Sequence, residues 1–431
     1  MKILILNGSP AGNDSITLQT LRYIRKLNPE HEWALLNVGQ RIRQLERDFA
    51  PAQRALERAE LLIFCYPVYT FLVPSQLHRF IELMKEHGAA LGGKWATQLS
   101  TSKHFYDITA HAFIREIASD LGLRYIRGLS ADMEDLLNEK GRSEALAFFD
   151  HVLWSVGQGI SEPEPPHFAA PELREATPVS EQEKRRGGYI AVVTDLAPEN
   201  TRLAGMIGRF TAASDRPCTV VNLRDFHFAG GCVGCFHCAS DGVCIYKDGF
   251  DKLLRERIQG ADAMVFAFTI KDHSMGYRFK LFDDRQFCNG HRTVTMGKPV
   301  GYLVDGALSA EPNLRELIEA RAQVGGNHLA RELSYAIDND FRQPADFYGV
   351  GGMKIFRDLI YTMQGLMRED HRFYKRHGFY DFPQKRAGTI LGMYLVGAMM
   401  QNKKLSKKLG GNMTKGMLMP YQAVIDKAKP K

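Results

Sequence analysis

The sequence contains no run of about 18 or more apolar residues, so it offers no candidate for a transmembrane helix. It also lacks the opening of a secreted protein. Met1-Lys2-Ile3-Leu4-Ile5-Leu6 is too short for the apolar core of a signal peptide, and Gly8-Ser9-Pro10 ends it. The segment reads as a first β-strand, and a cytoplasmic location is expected. No basic stripe interleaved with aromatics occurs in the first 340 residues, which argues against a nucleic-acid partner. The net charge of +7 is modest for 431 residues, and much of the excess lies near the C-terminus. Apolar content of 45% with 24% charged residues describes a globular chain long enough for two or three domains.

What the sequence does have is a weak internal repeat. Ala59-Glu60-Leu61-Leu62-Ile63-Phe64 recurs as Ala261-Asp262-Ala263-Met264-Val265-Phe266, and His78-Arg79-Phe80 faces Lys280-Leu281-Phe282, both 202 residues apart. Gly93-Lys94 with Leu99 matches Gly297-Lys298 with Leu303 at 204, whereas Leu36-Asn37 matches Val221-Asn222 at only 185. The second copy therefore carries an insertion between the points that match Asn37 and Ala59. Each copy alternates short apolar runs with helix-like segments. In the first, strands are expected over 2–6, 33–37, 61–65 and 97–100, with helices over 17–27, 50–59, 75–86 and 111–121. In the second, strands are expected over 189–194, 219–223, 263–268 and 299–304. Such alternation predicts doubly wound parallel sheets covered on both faces, an α/β class. The expected organisation is a first domain over 1–158, a Pro/Glu/Arg-rich linker over 159–187, a second domain over 188–340, and a helical basic region over 341–431.

Two loops of the first copy suit a ligand. Asn7 to Thr17 follows the first strand and opens the first helix. Gly8 and Gly12 allow close backbone approach, and Ser9, Ser15 and Thr17 offer hydroxyls at a helix N-terminus, a setting that binds phosphate. The loop has no lysine and no GxGxxG, so ATP and Rossmann dinucleotide binding fit it poorly. Ordinary helix capping is the alternative. The second loop, Cys65 to Pro74, carries Tyr66, Tyr69 and Phe71, which either sandwich a planar ring or cover the end of the sheet. A third, Ser100-Thr101-Ser102-Lys103-His104, follows the next strand.

Strand–Gly8-Ser9-Pro10–Ser15-x-Thr17–helix, then strand–Pro67-Val68-Tyr69–Pro74-Ser75–helix, resembles the NADPH-dependent FMN reductase branch of flavodoxin-like proteins over most of the first 125 residues. The resemblance implies two flavodoxin-like domains in tandem. It implies FMN with its phosphate on Ser9, Ser15 and Thr17 beside Gly8 and Pro10, and its ring against Pro67, Val68, Tyr69, Thr70 and the loop Ser100, Thr101, Ser102. Lys103-His104-Phe105 departs from the glycines common in the family. FMN with NAD(P)H as donor would serve a small-molecule acceptor such as a quinone or flavin. Tyr69 and His104 are the candidates for protonating a reduced substrate. An electron carrier docking a redox protein is the alternative reading, and a scaffold that has lost its flavin is a third.

There are seven cysteines, and four lie within the insertion: Cys232, Cys235, Cys238 and Cys244, spaced C-x2-C-x2-C-x5-C. Their clustering without a secretion signal argues for metal or redox chemistry rather than a disulfide framework. The run resembles the compact motif of iron–sulfur flavoproteins, which implies a [4Fe-4S] cluster. Zinc, a redox-active pair and free thiols remain open. Cys65, Cys218 and Cys288 are expected in the core, and His237 at the surface. The second copy opens on Thr194 to Thr201, where Asp195 and Glu199 would repel a phosphate, so one FMN is expected, in the first copy. By analogy with paired family members, the second copy is expected to act as a built-in partner that brings its cysteines near the flavin; a homodimer is left open. Gly349-Val350-Gly351-Gly352 reads as a turn. The apolar stretch Thr389 to Met400, followed by Lys403, Lys404, Lys407 and Lys408, suits core or dimer packing, with membrane-surface contact as the alternative.

Overall fold

A computed structural model describes residues 1–104, 106–168, 180–181, 183–184, 187–235, 237–239, 241–289, 294–329, 392, 395 and 413–429. The chain holds two parallel-sheet α/β units of flavodoxin-like fold with an added C-terminal helix. The first sheet comprises β1 (Lys2–Asn7), β2 (Glu32–Leu36), β3 (Leu61–Pro67), β4 (Trp95–Ser102), β5 (Arg124–Tyr125) and β6 (Leu129–Asp132). Its order is β2-β1-β3-β4-β5, with β6 also paired to β4, and every pairing is parallel. The second comprises β7 (Ile190–Thr194), β8 (Cys218–Asn222), β9 (Ala263–Thr269), β10 (Pro299–Asp305) and β11 (His328–Leu329), in the order β8-β7-β9-β10-β11. Both orders are 2-1-3-4-5, which reverses direction at the first strand and opens a crevice beyond the strand ends.

The central strands are buried along almost their full length, as a sheet covered on both faces requires. In the first unit α1 (Ile16–Leu27) and α6 (Glu139–Gln158) pack on one face. The other face carries α3 (Ala50–Arg58), α4 (Ser75–Glu86) and α5 (Asp107–Asp120), with α2 (Val38–Arg47) against α4. The second unit has α7 (Thr201–Ala213), the short α8 (Phe250–Leu253), α9 (Gly276–Arg285) and α10 (Pro312–Gly325). The expected strands and helices all appear, with ends moved by a few residues; the helix expected from residue 111 starts at Asp107. α2 and α6 were not expected. No helix among the described residues is long and apolar enough to cross a membrane.

The two units face each other. α4 packs on α9 and α5 on α10, and one apolar cluster runs through both, from Phe80 and Phe113 to Phe279 and Phe282. The correspondence extends to backbone detail. Tyr69 and Leu72 exchange both backbone hydrogen bonds, and so do Lys271 and Ser274, 202 residues on. Between them Thr70 and Phe71, like Asp272 and His273, adopt positive φ. Such backbone is strained for side chains other than glycine, and it occurs here twice at matching places.

The insertion stands where the first unit has α2. The described residues between β8 and α8 form turns and a 3-10 helix (His237–Ala239), and Arg285 pins the segment. That fully buried guanidinium makes two 2.8 Å bonds to the Asp248 carboxylate and donates to Gly230 O. It also lies over the Tyr246 and Phe250 rings. Of the expected basic C-terminal region, the helix α11 (Met413–Lys427) is described; it packs on the first unit. Gly349–Gly352 and the lysines 403, 404, 407 and 408 lie outside the described residues, as does most of the apolar stretch at Thr389.

Candidate active site

The phosphate loop is built from the end of β1. Asn7 is fully buried and organises it: its Nδ2 donates to Gly12 O and to Asn37 Oδ1, both at 2.8 Å, and its Oδ1 accepts from the Ser9 amide at 3.2 Å. A side-chain carbon on Gly8 would fall 2.6 Å from Leu77, and one on Gly39 would fall 2.3 Å from Gly8 O. α2 and α4 thus press on the loop at positions only glycine fits. Gly12 needs φ of +57°, which again favours glycine. Ser9, Ser15 and Thr17 are all buried. Ser15 caps α1 by accepting from the Leu18 amide, and the Thr17 and Thr101 hydroxyls bond one another. Three buried hydroxyls and the N-terminus of a 12-residue helix therefore lie within residues 9–17 beside close-approach glycines, residue types that suit a phosphate monoester. Pro10 lies within the same buried loop. Asn7 and Asn37 escaped the sequence reading; an asparagine closing a strand before a Gly-Ser turn was the available signal.

Beyond β3 and β4 the other expected residues meet. Pro67 pairs with Thr101, and the Val68 amide donates to Thr101 O at 3.1 Å. Ser100 is fully buried and bonds His111 Nε2 at 2.8 Å and Ser130 Oγ, so its hydroxyl serves the sheet's interior. Ser102 and His104 both turn to Asp107, which is also fully buried. Ser102 Oγ donates to Asp107 Oδ2 at 3.1 Å, His104 Nδ1 lies 3.0 Å from the same oxygen, and Ser130 donates there too. Asp107 was missed by the sequence reading. It orients the His104 ring much as a carboxylate orients a general-acid histidine.

Tyr69 sits under the insertion. A carbon added to Gly234, whose φ is +64°, would lie 2.2 Å from the Tyr69 hydroxyl, and one added to Gly231 would lie 2.6 Å from Ser75 Oγ. Gln76 Nε2 donates to Cys232 O at 3.1 Å, and Phe287 packs edge-on to Tyr69 at 5.8 Å. Burial, with Cys232, Asp284 and Cys235 nearby, pushes the Tyr69 phenol far above its ordinary range, so it stays neutral. The cysteine segment of the second unit therefore packs against the Cys65–Pro74 loop of the first unit and the helix that follows it. Thr70 Oγ1, in that loop, bonds Asp284 of the second unit at 3.3 Å.

Among the described residues no three His, Cys, Asp or Glu side chains gather as a metal-holding group. Cys232, Cys238 and Cys244 are half-buried and Cys235 is exposed. Burial raises Cys232 well above its usual range and Cys238 to about 11, holding both as thiols. Cys238 Sγ lies 3.4 Å from Phe287 O. A four-iron cluster needs four converging cysteines, and the described residues do not gather these side chains into such a set. Cys65 and Cys288 lie in the core as expected, Cys218 is half-buried, and His237 is exposed.

The matching crevice of the second unit carries its own negative charge. Asp305 pairs with Thr269 as Thr101 pairs with Pro67. Its carboxylate accepts from Thr269 Oγ1 at 3.0 Å and from Asn200, the cap of α7, at 3.4 Å, with Arg202 at 3.4 Å. A carboxylate there opposes a phosphate dianion.

Comparison with known proteins finds matches to the first part of the chain. A family model described as flavodoxin-like fold matches residues 1–131. No curated protein matches. Among solved structures, an FMN-dependent NADH-azoreductase from Bacillus anthracis in complex with FMN is 13% identical, covering 37% of this chain and 99% of its own, with a TM-score of 0.28. A putative quinone reductase from Klebsiella pneumoniae is 15% identical over 44% of this chain and 91% of its own, with a TM-score of 0.29. An NAD(P)H:quinone oxidoreductase from Methanothermobacter marburgensis is 14% identical over 36% and 94%, with a TM-score of 0.28. Residues 1–131 of this chain are thus similar in sequence pattern to the flavodoxin-like fold that their strand order displays.

Proposed function

We propose that the chain is an FMN-dependent oxidoreductase that takes electrons from NAD(P)H and passes them to a quinone, a flavin or another planar organic acceptor. What supports this reading is the run of buried Ser9, Ser15 and Thr17 hydroxyls through the turn that opens α1, beside the close-approach glycines Gly8 and Gly12. Bound FMN would supply the electron chemistry; the protein supplies binding, orientation and shielding. Ser9, Ser15 and Thr17 hold the phosphate, and Pro67 to Thr70 with Thr101 and Ser102 face the ring. The second unit closes the site through Gly231 and Gly234, and Asp305 keeps its own crevice empty of a second phosphate. His104, oriented by Asp107, is the proton donor within reach of a reduced acceptor. No electron step is routed through the four cysteines, whose arrangement does not gather a ligand set.

The test is to purify the protein anaerobically, quantify FMN and iron on one sample, and measure NADH and NADPH oxidation with a soluble quinone. One FMN per chain, lost in the Ser9→Ala/Thr17→Val double variant, with quinone-dependent turnover, is the expected result. FMN without turnover would leave an electron carrier. Protein that takes up no FMN would overturn the reading.

A further inference from the structure

The helix α11 returns from the far end of the chain to the ligand side of the first unit. It packs on α1, on the 3-10 turn Gly12–Asp14 within the phosphate loop, and on the 3-10 turn Asp135–Leu137 that follows β6. Both turns lie beyond the carboxyl ends of their strands, the side on which doubly wound sheets bind ligands. The docking is specific. Tyr421 is 4% and Ile425 7% exposed, whereas Met419, on the opposite side of the helix, is 74% exposed. The Tyr421 hydroxyl donates to Met133 O, just past β6. Lys26, in the last turn of α1, donates to Ile425 O at 2.7 Å and Asp426 O at 2.9 Å. An ammonium on the last carbonyls of a helix complements the helix dipole.

α11 therefore joins the phosphate loop to the segment after β6. That segment is itself tied to the third ligand loop, because Lys103 Nζ reaches Asp132 at 2.7 Å. We infer that α11 is a strap across the cofactor site: Tyr421 ties it to the segment after β6, Lys26 anchors its last turn at the far end of α1, and release of FMN requires the strap to lift. The inference rests on the FMN reading given above and adds to it a control on cofactor exchange. Contacts that hold a bound geometry act mainly on the dissociation rate. Tyr421, Ile425 and Lys26 are thus positioning residues, remote from the reacting atoms.

The experiment uses full-length chains: wild type, Tyr421→Ala/Ile425→Ala, Lys26→Met and Lys26→Arg. FMN release is followed by the rise of flavin fluorescence on dilution, and amide hydrogen exchange of residues 11–17 is measured without FMN. Apo-protein melting temperatures identify any variant that fails to fold. The expected result is release at least tenfold faster in Tyr421→Ala/Ile425→Ala and severalfold faster in Lys26→Met, near wild type in Lys26→Arg, with faster exchange at residues 11–17. Release within twofold of wild type in both disruptive variants would overturn the strap. If wild type binds no FMN, the functional reading fails by itself. The exchange data then decide the strap alone: faster exchange at 11–17 in the disruptive variants supports it, and unchanged exchange overturns it.

Discussion

Asp284, on α9 of the second unit, accepts a hydrogen bond from the amide of Ser75, the first residue of α4 in the first unit, at 2.7 Å. The reverse contact is also made: Glu82 on α4 accepts from the amide of Tyr277, near the start of α9, at 2.9 Å. Ser75 and Tyr277, like Glu82 and Asp284, are 202 residues apart in the sequence. Each helix thus satisfies an N-terminal amide of the other with a buried carboxylate. Asp284 also pairs with the buried Lys280, which donates to Tyr69 O at 2.7 Å. Asp284→Ala leaves that ammonium buried without its counter-ion, so a loss of about 3–5 kcal/mol is expected. Asp284→Asn keeps one acceptor and is expected to cost about 1–3 kcal/mol. Calorimetry checks the order of the two variants. A loss in Asp284→Ala no larger than in Asp284→Asn would show that Lys280 finds another partner.

The same interface has a pH dependence. His273 places Nδ1 3.0 Å from Glu311 Oε2 and Nε2 3.2 Å from Asp120 Oδ2, joining the residue before α10 to the end of α5. Those bonds to Asp120 and Glu311 raise its pKa to about 10. Lys85, Asp272 and Glu116 complete the surroundings; Lys85 bridges Asp120 and Asp272, and burial raises Glu116 to about 7. A raised histidine stabilises the fold fully below its ordinary pKa near 6.5, and the contribution fades as pH climbs to about 10. Glu116 is half titrated near pH 7 and largely ionised by about pH 8, so the window from about 8 to 10 isolates His273. The stability difference between wild type and His273→Gln is expected to be about 1–2 kcal/mol at pH 7 and to vanish by about pH 10. Thermal melts across that window measure it; a constant difference would mean that His273 acts by packing.

Strands such as β3 and β9 were legible because both faces are buried, which compresses each into a short apolar run. α6 also buries Ala145, Phe148, Phe149 and Val152 at helical spacing, a pattern present in the sequence but left unassigned. α2 is different: only Val38, Gly39 and Leu45 are buried in a polar segment, so its periodicity is too thin to read. In the site, Ser9, Ser15 and Thr17 announced themselves through a local turn grammar. Asp284 on Ser75, or Gly234 on Tyr69, could not, because those contacts exist only once two surfaces 150 or more residues apart are docked. The pairing of the second unit with the first is an expectation from analogy with paired family members, and the cysteine segment does reach the Tyr69 loop. The gathering of its sulfurs into a ligand set is not what the described residues display.

Gly234 makes the contact between insertion and site testable. Gly234→Ala requires a side chain at φ +64° and a carbon 2.2 Å from the Tyr69 hydroxyl, so either Tyr69 or the insertion must move. A loss of about 1–3 kcal/mol is expected. Gly208→Ala, on α7 with open space around its added carbon, serves as the control and should stabilise slightly. If Tyr69 lines the flavin ring, Gly234→Ala should also shift the bound-flavin absorbance spectrum and weaken FMN binding several-fold. An unchanged spectrum with reduced stability would separate the insertion's structural role from the ligand loop.

Asp107 offers the sharpest check on the third loop. Its buried carboxylate accepts from Ser102 and Ser130 and faces His104 Nδ1, while His104 and Tyr106 hold positive φ beside it. Asp107→Asn replaces an acceptor by a group that must present an N–H to one of these donors, and a cost of about 1–3 kcal/mol is expected. If His104 delivers a proton to the reduced acceptor, Asp107→Asn should lower kcat about tenfold or more, leave the KM for NAD(P)H nearly unchanged, and alter the pH profile of kcat. His104→Gln should lower kcat further, and the double variant should be no worse than His104→Gln alone, because the carboxylate acts through the ring. Additive losses in the double variant would assign Asp107 to holding the loop through Ser102 and Ser130 instead. Full activity in His104→Gln would remove the histidine from the chemistry and leave solvent as the proton source.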